Sequence, residues 1–152
     1  YYHNMVTHLL EAAYQREVYK KVDNGDSLTA PVLNKLMRDV YEQFFGDAVE
    51  LTDGMELTWM RQPHYYMGLY SYTYSAGLTI GTVVSQKIKK EGQKAVDAWL
   101  ETLKAGGSKN PVVLAKIAGV DITTNAPLKS TIAYISELVD EVETLTNEIE
   151  HN

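Results

Sequence analysis

The chain has 152 residues, 45% of them apolar and 22% charged, which is enough to bury a sizeable core and far from a disordered composition. Its formal charge is −6 and it has no basic cluster beyond Lys87, Lys89 and Lys90, which disfavours a nucleic-acid partner. The lack of cysteine excludes disulfides and thiolate chemistry and leads us to expect a reducing, cytoplasmic location; the most apolar run, Ala76 to Val84, is about half of the roughly 20 residues that span a bilayer, so no membrane partner is expected.

The opening residues Tyr1-Tyr2-His3-Asn4-Met5 lack an initiator methionine and already sit inside a helical pattern, as expected for a piece of a longer polypeptide. From Met5 to Val22 the apolar residues Val6, Leu9, Leu10, Ala13 and Val18 recur at steps of three and four, which predicts a helix with one buried stripe, ended by Asn24-Gly25-Asp26. Thr29-Ala30-Pro31 reads as an N-cap and first-turn proline for a second helix through Val32, Leu33, Leu36, Val40 and Phe44, stopping at Gly46 and closing an αα-hairpin. A connector from Asp47 to Thr52 leads to a short helix, Asp53 to Met60, which Pro63 interrupts, leaving His64 at a junction. The next pattern predicts a long helix from Tyr65 to Lys90, with a break or bend at Gly92.

Gln93 to Lys104 is helical and ends at Gly106-Gly107; Asn110-Pro111 caps a short helix ending at Gly119. A last helix from Pro127 to Glu150 repeats Ile132, Ile135, Leu138, Val139, Val142, Leu145 and Ile149 between acidic residues that read as a solvated face. No segment alternates long enough to be a strand, so the expected fold class is all-α, one unit over residues 1–152 with about six or seven helices.

The stretch from Pro63 to Gly77 holds one histidine and five of the eleven tyrosines. On a continuous helix Tyr66, Tyr70 and Tyr74 share one face at i, i+4 and i+8, with Gly77 and Gly81 near the same line. Buried phenols need hydrogen-bond partners, so such a face lines a cavity rich in donors; alternatively it is core packing in which the glycines let two helices touch. His64 adjoins these phenols, where an imidazole either serves the structure or donates a hydrogen bond to a developing oxyanion. His3 and His8, about 140° apart on a helix, make no metal pair, and His151 sits in a terminal tail. His8 and Glu11 share a face at i, i+3, but without His-Glu-x-x-His, a cysteine pair, a Walker loop or a Gly-x-Ser-x-Gly elbow no metal site is expected within the chain.

The segment Trp59-x-Arg61-x-Pro63-His64-x-Tyr66-x3-Tyr70-x-Tyr72-x-Tyr74-x-Ala76-Gly77 resembles the C-terminal portion of oligoendopeptidase F, among the thimet-oligopeptidase-like zinc metallopeptidases. Asn24-Gly25-Asp26-x-Leu28-Thr29 and Tyr41-x3-Phe45-Gly46 are similar to the family's helical hairpin, and Lys104-Ala105-Gly106-Gly107-Ser108 and Ala118-Gly119-Val120-Asp121 to its closing segments. The resemblance implies the C-terminal part of a larger, zincin-like helical peptidase catalytic domain. Zinc there is held by His-Glu-x-x-His and a later glutamate, which precede the region matching Tyr1 onward.

It further implies that this fragment binds no zinc and is inactive alone. Its partners would be an oligopeptide substrate and the missing zinc-binding N-terminal part of the same polypeptide. By the same resemblance His64 and Tyr70 are the catalytic, oxyanion-stabilising residues and Tyr66, Tyr74 and Gly77 bind substrate, with Gly77 standing where some relatives place a further tyrosine. The competing expectation is a stand-alone helical module that receives a peptide or partner helix on its tyrosine face.

Overall fold

The computed structural model describes residues 1–151, and among them are six α-helices, one π-helical turn and two 3-10 turns, without strands. A π-helical turn, His3–Thr7, runs into α1 (His8–Asp23), so the first helical stretch begins earlier than its apolar pattern indicates. After a turn at Asn24 and Gly25 comes α2 (Ala30–Phe45), whose second residue is Pro31. Thr29 has the extended backbone of an N-cap, but its side chain makes no capping bond; the proline alone carries out the predicted start. The short helix expected over Asp53 to Met60 is a 3-10 turn, Met55–Met60, and a second such turn covers Pro63–Tyr66.

The long helix expected from Tyr65 starts later. α3 spans Tyr72–Glu91, and between it and the second 3-10 turn Gly68 takes a φ of +66°, a left-handed conformation that interrupts helical hydrogen bonding and suits a residue without Cβ. Tyr66 and Tyr70 therefore precede α3 rather than lying on it, and the expected three-tyrosine helix face does not form. Gly92 separates α3 from α4 (Gln93–Ala105), as a full break rather than a bend. α5 (Pro111–Ile117) is capped as its sequence predicts, the Asn110 side chain accepting from the Val113 amide at 3.0 Å. α6 (Ala126–Glu150) completes the described helices.

The chain divides into two compact units, Tyr1–Ala76 and a second from Gly77 onward. In the first, α1 and α2 pack as the expected hairpin around buried Leu10, Tyr14, Met37 and Val40, with Leu33, Leu36, Phe45, Trp59 and Tyr65 against them. Trp59 and Tyr65 belong one to each of the two 3-10 turns, so burying these two rings is what pins both turns onto the hairpin.

In the second unit Val84, Ala115, Ala118 and Val120 form the core, flanked by Ile80, Val83, Ile88, Trp99 and Ile122. α5 ends in a Schellman-type closure: the Val120 amide donates to the Ala115 carbonyl at 2.8 Å and the Gly119 amide to Lys116 at 2.9 Å, with Gly119 at φ +77°. That turn drives Val120 into the core. The acidic residues of α6 are exposed as expected; so are Ile132, Val139, Val142, Leu145 and Ile149. Among the described residues no helix is long and apolar enough to cross a membrane.

Candidate functional site

α1 presents three polar residues, His8, Glu11 and Gln15, at i, i+3 and i+7, which is one face of a helix. All three are buried. A buried polar face must find partners, and Gln15 finds them in the segment carrying the tyrosines. Its Nε2 donates to the Gly68 carbonyl at 2.7 Å and lies 3.3 Å from the carbonyls of His64 and Tyr65. One amide thus gathers three carbonyls of the stretch that runs from the second 3-10 turn to Gly68. On the far side the Ser75 hydroxyl donates to the Asn4 carbonyl, tying the first turn of α3 to the π-helical turn.

Held in this way, His64 reaches Tyr74 and Tyr70. The His64 Nε2 lies 3.0 Å from the Tyr74 hydroxyl, and the imidazole stacks on the Tyr70 ring with centroids 5.5 Å apart and planes within 9°. Tyr70 and Tyr74 meet edge to face at 5.4 Å. The other ring nitrogen, Nδ1, is 2.7 Å from Nε2 of Gln62, an amide that only donates, so Nδ1 accepts. A neutral His64 then carries its proton on Nε2 and gives it to the Tyr74 oxygen, which leaves the Tyr74 proton free to be donated onward.

The Tyr74 phenol is raised above its ordinary value, first by its hydrogen bond with Tyr70, then by desolvation and the negative charge of Tyr70 and Glu11, so it remains a donor at neutral pH. Tyr70 is exposed at 37% and Tyr74 is half-buried, so the pair of hydroxyls sits where a ligand can meet it.

Tyr66 is placed elsewhere. It is 73% exposed and, with Tyr14, Gln15, Val18, Tyr19, Leu28, Leu33, Trp59 and Tyr65, lines an apolar pocket of about 170 Å3. Burial, and next the neighbouring Tyr66, raises the Tyr14 phenol; burial, then Glu11, Tyr41 and Tyr14, raises that of Tyr65, whose hydroxyl is buried without a hydrogen-bond partner. Gly77 falls on α3 in the second unit, and a Cβ built there meets no atom within 4 Å. The structure therefore brings together His64, Tyr70 and Tyr74, and does not bring Tyr66 to them.

The sequence reading missed Gln15 and Gln62, and set aside His8 and Glu11. Polar residues at helical spacing normally read as a solvated face, and nothing in their own spacing marks these as buried. A weak signal was present in Gly68, which stands in the first turn of the supposed helix and is a poor helix former.

The model of peptidase family M3 matches residues 3–134 of this chain. The chain belongs to peptidase family M3. Oligopeptidase PepF of Bacillus subtilis is 33% identical over 141 residues, covering 93% of this M3 chain and 21% of that protein. Group B oligopeptidase PepB of Streptococcus agalactiae is 28% identical over 141 residues, covering 93% of the chain and 24% of that protein. The crystal structure of oligoendopeptidase-F from Enterococcus faecium superposes with a TM-score of 0.91 at 26% identity, over 97% of this chain and 28% of that one. The all-helical fold is thus shared with an oligoendopeptidase F. The M3 chain spans about a fifth to a quarter of the length of these curated relatives.

The resemblance to zinc peptidases asks whether the residues present fit the metal. Among the described residues no three His, Cys, Asp or Glu side chains are grouped so as to hold one. His8 Nδ1 and Glu11 Oε2 bond each other at 2.7 Å instead of converging on a common point. This part of the M3 fold does not fit a zinc ion on its own residues.

Proposed function

We propose that the chain is the C-terminal part of the catalytic domain of a zinc metalloendopeptidase that hydrolyses internal bonds of oligopeptides in the cytoplasm. Metal binding would fall to residues outside this chain, which alone would be inactive. Its own contribution would be to hold the peptide and stabilise the oxyanion. The observation that carries this reading is the His64–Tyr74–Tyr70 cluster, with His64 Nε2 and the Tyr74 hydroxyl at 3.0 Å, in a chain of family M3.

As a peptide carbonyl is attacked, its oxygen gains negative charge, and donors already aimed at it lower the barrier more than they strengthen substrate binding. His64 donates a hydrogen bond from Nε2 to the Tyr74 oxygen, and Tyr74 or Tyr70 in turn donates one from its hydroxyl to the peptide oxygen. These phenols need not be rebuilt during the reaction, because Gln15 and Gln62 hold the histidine from its backbone and from Nδ1. Tyr70 would be the principal donor, with Tyr74 orienting the peptide. Tyr66 would bind substrate from its separate position at the apolar pocket, and Gly77 would leave room for the peptide backbone along α3.

The test is hydrolysis of an internally quenched oligopeptide by the full-length polypeptide that contains this chain. Tyr70→Phe and His64→Gln are each expected to lower kcat by about 10²-fold or more, as for loss of an oxyanion donor, with metal content unchanged. Turnover equal to wild type in both variants would overturn the assignment.

A further inference from the structure

His8 and Glu11 have no part in the donor chain described above, yet they form a buried, hydrogen-bonded couple beside it, 2% and 4% exposed. We propose that His8, held by Glu11, is a positioning residue for Tyr74 and, through Tyr74, for His64. The inference deepens the peptidase reading, since it concerns the same site.

The geometry runs in one direction. Glu11 Oε2 accepts from His8 Nδ1 at 2.7 Å, which fixes both the tautomer and the plane of the imidazole. That plane lies parallel to the Tyr74 ring, at a centroid distance of 4.1 Å and an angle of 15°, so the phenol cannot swing toward α1. The Tyr74 ring thereby keeps its hydroxyl at His64 Nε2.

The imidazole of His8 is itself wedged. His3 meets it edge-on at 4.4 Å and His64 at 5.6 Å. The ionisable groups around Tyr74 are therefore His3 from the π-helical turn, His8 and Glu11 from α1, and His64 and Tyr70 from the segment before α3.

Packing alone does not account for the couple. Burying a carboxylate and an imidazole is expensive, and an apolar pair of similar shape would fill the same space without that cost. What an apolar pair lacks is the bond from His8 Nδ1 to Glu11 Oε2 that holds the ring in one plane under Tyr74. Glu11 also acts on the Tyr74 phenol, as the last of the influences that raise it, after its hydrogen bond with Tyr70, desolvation and the proximity of Tyr70.

The experiment uses the 152-residue chain. The double variant His8→Phe/Glu11→Leu retains a flat ring beneath Tyr74 and leaves no orphaned charge; Glu11→Gln retains shape and a hydrogen bond but removes the charge. Long-range 15N–1H spectra report the His64 tautomer, and 13C spectra of ring-labelled tyrosine report the Tyr74 titration. Wild type is expected to show His64 as one species protonated on Nε2.

In the double variant Gln62 still holds the Nε2 tautomer, but the His64 Nε2 proton should lose its hydrogen-bonded shift and Tyr74 should titrate at lower pH; in Glu11→Gln the Tyr74 titration should move in the same direction. A wild-type Nε2 proton shift and titration in the double variant would show that the couple only packs, and would overturn the proposal. Where the double variant does not fold, Glu11→Gln decides by the same two readouts. None of these signals depends on peptide cleavage, so failure of the peptidase reading would appear separately, as unaltered hydrolysis in Tyr70→Phe and His64→Gln.

Discussion

Gln15 and Gly68 are joined across 53 residues of sequence by a hydrogen bond of 2.7 Å, from the side-chain amide of one to the carbonyl of the other. Because the same nitrogen also lies near the carbonyls of His64 and Tyr65, this one side chain sets the path of the segment that carries the histidine. Replacing it by leucine, Gln15→Leu, keeps the volume but takes away the donor the three carbonyls share, leaving those of His64 and Gly68 with the amides of Met67 and Tyr70 alone. The expected loss is about 1–3 kcal/mol in denaturant melts. Amide exchange across residues 64–70 should quicken more than exchange in α2; equal change in both would place the effect in the core instead.

Glycine substitutions should divide by backbone conformation. Gly119 sits at φ +77° in the closure of α5, and a Cβ there approaches the Lys87 side chain to 2.9 Å. Gly119→Ala should therefore destabilise by roughly 1–2 kcal/mol, mostly from the left-handed backbone since the lysine end can move. Gly77→Ala, in a helical position with open space around it, should stabilise the isolated chain by up to about 1 kcal/mol. If Gly77 lies along the peptide, the same variant should bind oligopeptide more weakly in the full-length polypeptide, and thermal melts paired with affinity measurements separate the two effects.

Alkali should unfold the chain through its buried phenols. Tyr14 and Tyr65 are both raised above the ordinary phenol value of 10.0, chiefly by burial. Once the pH passes that value the unfolded chain loses these protons while the folded one keeps them, so the unfolded state binds fewer protons and stability falls. Their contribution is complete below pH 10.0 and is lost as the pH climbs toward the folded-state values. Tyr65→Phe should flatten this alkaline limb without loss at neutral pH, because its hydroxyl has no partner to lose. Urea midpoints measured from neutral to strongly alkaline pH check both parts.

Met37 is fully buried between α1 and α2. Met37→Ala should cost about 2–5 kcal/mol through lost burial and the space left behind. A marginal domain would lose much of its stability, so circular dichroism melts of this variant test whether the hairpin core holds the first unit together.

The helices were legible because their signals are local. Apolar residues three and four apart, Pro31 and Pro111 near helix starts, and Gly92 and Gly119 at ends placed α1, α2, α4, α5 and α6 within a few residues. The long helix was misread because Tyr65, Tyr66, Tyr70 and Tyr74 continue a helical spacing, while the bonds that oppose it come from Gln15, fifty residues away. Of the candidate site, His64, Tyr70 and Tyr74 were readable through the family pattern, and they do meet. Gln15 was not, nor was the burial of His8 and Glu11, whose shared face was visible, since burial of a polar face is decided by what packs over it and leaves no mark in spacing; Gln62 lies between the 3-10 turns, where spacing carries no signal.

The unwound stretch around Gly68 has a consequence for chain length. Had residues 64–74 stayed helical, ten steps would have carried the histidine and the tyrosine about 15 Å apart along the axis. The doubling-back instead lets Nε2 touch the hydroxyl. Such a fold-back works like a ruler: inserting or deleting a single residue between Gly68 and Ser71 would offset one end against the other and silence the pair, whereas the connector before Met55, which carries no member of the cluster, would absorb the same change.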